Sequence, residues 1–232
     1  MLKEEIIEDL VINEEIVNSF KNNVDLSLKN YIETNIIAEY DLNDKGHDIN
    51  HINYVLNRAI EIAQNIDLNC DILYVCVMFH DIACHIDRDN HEILSAKRAY
   101  EDKFLLKIFN SEQMEEIKSA IEDHRASLEY IPRNIYGKVL SSADRKVEVK
   151  LYLWASISYD IKKHPELSKE ETITNSYDFA IKKFGKEGYA VSKFYVEDEK
   201  YERFLSLLQQ LIEDKTLYFE IAGIIYEQIK NN

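Results

Sequence analysis

Glycine occurs 5 times and proline 2 times in 232 residues. Hairpins and sandwiches build their tight turns largely from these residues, so their scarcity argues against an all-β fold. Cysteine occurs 3 times, at Cys70, Cys76 and Cys84. That is too few and too clustered for a disulfide framework, and reduced cytoplasmic thiols are expected. No uncharged apolar run reaches spanning length, the nearest being the short segment from Asp71 to Phe79, so no membrane partner is expected. The opening MLKEEIIEDLVINEEIV is acidic and amphipathic. It lacks the basic flank and apolar block of a secretory signal, which again predicts a cytoplasmic protein. Positive charge is short as well: 28 Lys and Arg face 43 Asp and Glu, for a formal net charge of -15. Such a surface repels nucleic acid and anionic lipid. A small anionic substrate remains open where local cations or a metal override the global field.

What is present points to helices. Hydrophobic residues make up 46% of the chain, enough for a buried core. Few breakers and abundant Glu, Lys, Ile and Leu predict an all-α fold. Ile6, Leu10, Ile16 and Phe20 form a first helical stripe. Asp48 is placed to cap a helix carrying Ile52, Val55, Leu56, Ala59, Ile60 and Ala63. The run from Ile72 to Phe79 is apolar all round, which predicts a central helix. A buried strand is the competing reading, weakened by the lack of a neighbouring partner strand.

Further along, a helix is expected over about residues 92–109, and another capped by Asn110 or Ser111. Pro132 and Gly137 punctuate a loop, and a helix from about Lys138 would carry Leu140, Ala143, Val147 and Leu151. Beyond Pro165 three or so amphipathic helices follow, with Gly185 and Gly188 at a turn. Aromatics there, from Tyr177 through Tyr201, read as helix packing, and Trp154 as core. No linker separates the parts. The chain reads as a single domain over 1–232, with a core at about 45–150 and a C-terminal helical extension at about 165–232.

Several of these helices carry an ionisable residue on an apolar face. His51 aligns with Val55, Ala59 and Ile62, and His80-Asp81 ends the most apolar run. His124 aligns with Ile117, Ala120 and Ile121, and Asp144 with Leu140, Val147 and Leu151. A buried carboxylate costs several kcal/mol unless a cation partners it. A divalent metal held by imidazole and carboxylate satisfies such groups together. Taken singly, an inward His is ordinarily a core residue with one hydrogen bond, and an inward Asp a cap or helix-end ion pair. The residues alone leave both readings open.

Five segments then carry a resemblance. Gly46-His47-Asp48-Ile49-Asn50-His51, Val77-Met78-Phe79-His80-Asp81-Ile82-Ala83, Asn90-His91-Glu92-Ile93-Leu94-Ser95-Ala96, Ile121-Glu122-Asp123-His124 and Leu140-Ser141-Ser142-Ala143-Asp144-Arg145 occur in this order. Together they resemble the motifs of the HD-domain phosphohydrolase superfamily over about residues 45–150. The resemblance implies an HD-type helical bundle in which His51, His80, Asp81 and Asp144 hold one divalent ion, which could be Mn, Fe, Mg, Zn, Ni or Co. Asp81 and His80 would then be the catalytic pair, Asp81 acting on a metal-activated water or bridging to a second ion. In branches with two ions, His91 and His124 complete the second site; contact with substrate is the other reading of both.

The implied activity is hydrolysis of a phosphoester or phosphoanhydride in a nucleotide or related small phosphorylated molecule. Arg125, Arg145 and Lys146 stand beside presumptive ligands and are candidates for the substrate phosphate, with Arg88 and Lys97 further off. The ordinary reading of each is a surface cation balancing an acidic protein. His47 and Asp48 are candidates for supporting the ligands, and His85 for gating. Two departures bear on the substrate: Cys84 stands where members carry a Lys, and Tyr54 where an Arg is expected. An HD-type di-iron oxygenase and a non-catalytic, metal-stabilised sensing module are the alternatives. The C-terminal helices leave a homo-oligomer open.

Overall fold

The computed structural model describes Ile6 and residues 14–231. Leu10 of the first expected stripe therefore lies outside the described residues. Among them every regular element is helical. They are α1 (Glu14–Asn23), α2 (Leu26–Asn35), a 3-10 helix (Ile37–Leu42), α3 (Ile49–Ala63), α4 (Cys70–Phe79), α5 (His91–Tyr100), α6 (Leu105–Ile108), α7 (Ser111–Glu122), α8 (Ile135–Ala143), α9 (Val149–Lys163), α10 (Lys169–Phe184), α11 (Glu199–Glu213) and α12 (Lys215–Lys230). The all-α expectation holds. None of these helices is long and apolar enough to cross a membrane.

Side-chain caps fix where helices begin. Asp48 accepts from the amides of Asn50 and His51 at the start of α3, and Asn69 does the same for α4. Asn110 and Gln113 form a reciprocal capping box on α7, as Ser168 and Glu171 do on α10.

By contact the chain divides into two compact units, one of residues 12–145 with 195–197, the other of the remainder. In the first, α4 is central: every residue from Ile72 to Phe79 is buried, and α1, α3, α5, α7 and α8 all pack against it. In the second, α9–α12 surround Leu153, Ile157, Ile173, Phe184, Phe204, Leu208 and Tyr218. Trp154 and Tyr177 lean on that core part-buried, whereas Phe179, Tyr189 and Phe194 are exposed. Pro165 lies inside this unit, between α9 and α10, which pack together.

Three local expectations give way. The helix expected over 92–109 stops at Tyr100 because Asp102 turns inward. Its carboxylate accepts from the Phe104 and Leu105 amides at 2.9 and 3.1 Å, from Tyr31 at 2.7 Å and from Arg98 at 2.8 Å. Gly137 lies within α8 rather than before it. A Cβ there would meet the Ala120 Cα of α7 at 3.3 Å, so the glycine lets the two helices approach. The helix expected to run through Asp144 to Leu151 ends at Ala143. Val147 joins the core of the second unit, and Leu151 is 37% exposed.

The Asp102 cluster predicts a pH effect. Burial alone would raise its carboxyl, but the bonds from Tyr31, Arg98 and the two amides outweigh burial and hold it below 3.8. A depressed carboxylate stabilises the fold above its unfolded value, and that contribution is lost as pH falls through the folded value. Asp102→Asn is therefore expected to lower the urea midpoint at pH 7. The gap from wild type should close as pH drops below about 3.8; a gap of constant size would refute this assignment.

Candidate metal centre

Six ionisable side chains reach one point of the first unit from helix ends. His51 is in the first turn of α3, directly after its Asp48 cap. His80 closes α4, and Asp81 opens the turn that follows. His91 begins α5, His124 follows α7, and Asp144 closes α8. The turn after α4 is clamped from outside. Asn43 Nδ2 donates to the carbonyls of Asp81 (2.9 Å) and His47 (3.0 Å), and its Oδ1 accepts from the His85 amide (2.9 Å). Ser95 Oγ accepts from the Ala83 amide, and Tyr40 Oη donates to the Met78 carbonyl. Asn43 is a part of the site that the sequence did not announce, since a lone Asn at the end of a short helix has no distinguishing pattern.

Asp81 is the hub. Its Oδ2 lies 3.3 Å from His51 Nε2 and 3.4 Å from His80 Nε2, and its Oδ1 lies 3.2 Å from His91 Nε2 and 3.5 Å from His124 Nε2. Asp144 Oδ1 stands 3.1 Å from His51 Nε2 and 4.0 Å from His80 Nε2. Asp81 is 2% exposed and His80 is fully buried, whereas the Asp144 side chain keeps 25% of its surface. The closed side of the site is thus Asp81 and His80, and the open side includes Asp144.

The histidine tautomers decide what this arrangement needs. His80, His91 and His124 each bring Nδ1 to the carbonyl three residues back, on Val77 (2.8 Å), Arg88 (2.8 Å) and Ile121 (2.6 Å). A carbonyl only accepts, so each Nδ1 carries a proton and each ring turns its Nε2 inward. His80 Nε2 is buried with no hydrogen-bond partner. His91 and His124 face each other Nε2 to Nε2 at 3.1 Å. Ring nitrogens that meet one another and a carboxylate at this range need a proton or a metal ion between them. Imidazoles held by backbone carbonyls are also the usual pose of metal-ligating histidines.

Charge in the unliganded protein agrees. Burial by itself would lower the His51 pKa, but the carboxylates of Asp144 and Asp81 raise it to about 9. Asp81 and Asp144 both lie below the usual carboxylate range: burial opposes this, and the surrounding His80 and His51 outweigh it. One imidazolium at His51 against two carboxylates is a partial neutralisation, and a divalent ion completes it. The donor set fits such an ion. Two triads of buried donors are close enough to hold one, His51-His80-Asp81 and Asp81-His91-His124, sharing Asp81.

The expected phosphate cations are not equivalent. Arg125 donates to the Asp89 carbonyl (2.6 Å) and to Glu92 (3.2 Å). Arg145 is buried, donates to the Ser141 carbonyl and lies under the Tyr195 ring. Lys146 is half-buried and begins the second unit. Tyr54, where an Arg was expected, donates to the Arg145 carbonyl at 3.0 Å and so ties the segment after Asp144 to α3. At Cys84, burial and the neighbouring Asp81 push the thiol up, so that position carries no charge. The His47 ring lies 5.5 Å from that of His51, while His85 is exposed.

Comparison with known proteins gives one match. The family model of the HD domain matches residues 48–149, and no curated protein or solved structure matches the chain. The matched span contains all six donors, from His51 on α3 to Asp144 at the end of α8. An HD domain suggests a hydrolase-type function that depends on a metal, consistent with the buried His/Asp cluster. The match of residues 48–149 to the HD domain supports membership of the HD-domain superfamily.

Proposed function

We propose that the protein is a metal-dependent phosphohydrolase acting on a nucleotide or related small phosphorylated molecule, with His51, His80, Asp81 and Asp144 holding the ion. The observation that carries this reading is the pinned tautomer of His80, whose buried Nε2 has no hydrogen-bond partner beside two carboxylates. A bound divalent ion would supply Lewis acidity, making water acidic enough to be deprotonated near neutral pH and drawing charge from phosphoryl oxygens.

The chain supplies the rest. Asp81 holds its two oxygens toward different triads, and the turn that carries it is fixed through its own carbonyl by Asn43. Asp81, with His80 beside it, is the candidate to act on the ion's water, and Asp144 holds the ion from the open side. Arg145 stands next to it in sequence as a candidate for the phosphate. Two triads sharing Asp81 also suit the oxidative alternative, in which two irons are held.

The test is metal analysis of protein purified without added ions, together with a screen of nucleotides and generic phosphoesters. Release of phosphate that requires the ion and vanishes in Asp81→Ala is the expected result. Two irons with a redox-dependent absorption change would favour the oxygenase, and full metal occupancy without turnover would favour a sensing module.

A further inference from the structure

Cys84 leaves the site without a cation three residues after Asp81, yet a charged group sits over that position. The turn that begins at His80 brings Arg88 back beside it, and the guanidinium Nη1 lies 3.9 Å from Cys84 Sγ. The same nitrogen donates to His47 Nδ1 at 2.5 Å, and the His47 ring is the one 5.5 Å from His51. Arg88 therefore spans the two residues that flank the His51-Asp81 side of the centre.

Its company is unusual for this chain. The protein carries a net charge of -15, and its other arginines near the centre are engaged: Arg125 is paired with Glu92, and Arg145 is buried on the Ser141 carbonyl. Arg88 makes no ion pair among the described residues. Its recorded partners are a neutral imidazole nitrogen and a thiol. It is exposed, and the Asp44 carboxylate, which reaches the same His47 nitrogen, lies within electrostatic reach of it without forming an ion pair. A guanidinium with free donors is suited to bidentate capture of phosphate.

We propose that Arg88 is the residue that binds the phosphate of the substrate, taking the place of the cation that position 84 does not provide. The proposal rests on the phosphohydrolase reading above. Release from His47 frees its Nη1 donor for the anion.

The probe is inorganic phosphate, titrated calorimetrically into the manganese-loaded full chain. Wild type, Arg88→Ala, Arg88→Lys and Lys97→Ala are compared, Lys97 being an exposed cation paired with Glu101. Arg88→Ala is expected to weaken phosphate binding by about tenfold or more, the loss of a charge-assisted pair. Arg88→Lys should recover part of that loss, and Lys97→Ala should match wild type. Metal affinity, measured in the same samples, should be unchanged in all four. Wild-type phosphate affinity in Arg88→Ala would overturn the role of Arg88 while leaving the phosphohydrolase reading intact. Equal weakening by Lys97→Ala would reduce the effect to overall charge and also overturn it. A wild type that holds manganese but neither binds phosphate nor cleaves any phosphoester would overturn the underlying reading, and this proposal with it.

Discussion

Asp81→Asn is expected to lower divalent-metal affinity by about a hundredfold or more, beyond the range seen when only a supporting residue is lost. The substitution keeps the shape of the side chain and removes its charge. Both oxygens of Asp81 are committed, Oδ2 toward His51 and His80 and Oδ1 toward His91 and His124. Neutralising the residue therefore weakens both triads at once. His124→Ala, by contrast, touches only the triad that contains His91. If that triad holds a second ion, His124→Ala should leave one ion bound where Asp81→Asn leaves none.

The metal-free forms should behave differently from the metal-bound ones. Without an ion, Asp81 is one of two carboxylates sharing the proton of His51, so removing its charge relieves part of an excess. The melting temperature of metal-free Asp81→Asn should stay close to that of metal-free wild type. Adding metal at a hundred times its dissociation constant should stabilise wild type by about 2.7 kcal/mol and the variant hardly at all. Equal stabilisation of the two would show that the ion binds elsewhere.

The second large effect concerns stability. Asp123→Ala is expected to cost about 3 kcal/mol, read as a shift of the urea midpoint. Asp123 is fully buried. It accepts from the Arg133 amide at 2.7 Å, from Arg133 Nε at 2.9 Å and Nη2 at 2.7 Å, and from Tyr130 Oη at 2.9 Å. Removing it takes the acceptor from a part-buried amide and from the Tyr130 hydroxyl. The guanidinium itself is 48% exposed, so water recovers part of its loss, which keeps the cost below that of a fully buried pair. His124 is the next residue, and its Nδ1 is fixed by the Ile121 carbonyl. Loss of the Asp123 anchor should thus also weaken metal binding at the His91-His124 side. A variant as stable as wild type would mean that the cluster is dispensable.

Much of the centre was legible in the sequence because it depends on local rules. His51 falls inward since Asp48 fixes the first turn of α3, and His80-Asp81 is buried because it closes a helix apolar on every side. Asp144 is inward for a different reason from the one its spacing suggested. The stripe through Val147 and Leu151 is not continuous: α8 ends at Ala143, and the next helix belongs to the other unit. That division could not be read, because no Gly or Pro marks the passage from Arg145 to Lys146. The stop at Tyr100 was hidden for a similar reason. Asp102 ends α5 by collecting donors from Tyr31 and Arg98, and contacts across 71 positions leave no local pattern. The same holds for Asn43, whose role depends on a turn that folds back on the centre.

Anomalous diffraction at the metal edge, from crystals of the protein purified without added ions, tests the central claim most directly. The account predicts a peak within about 2.0–2.3 Å of the Nε2 atoms of His51 and His80, with oxygens of Asp81 and Asp144 completing the shell. A well-ordered site with all four side chains in place and no peak after soaking in manganese or zinc, or a peak bound by other residues, would contradict it.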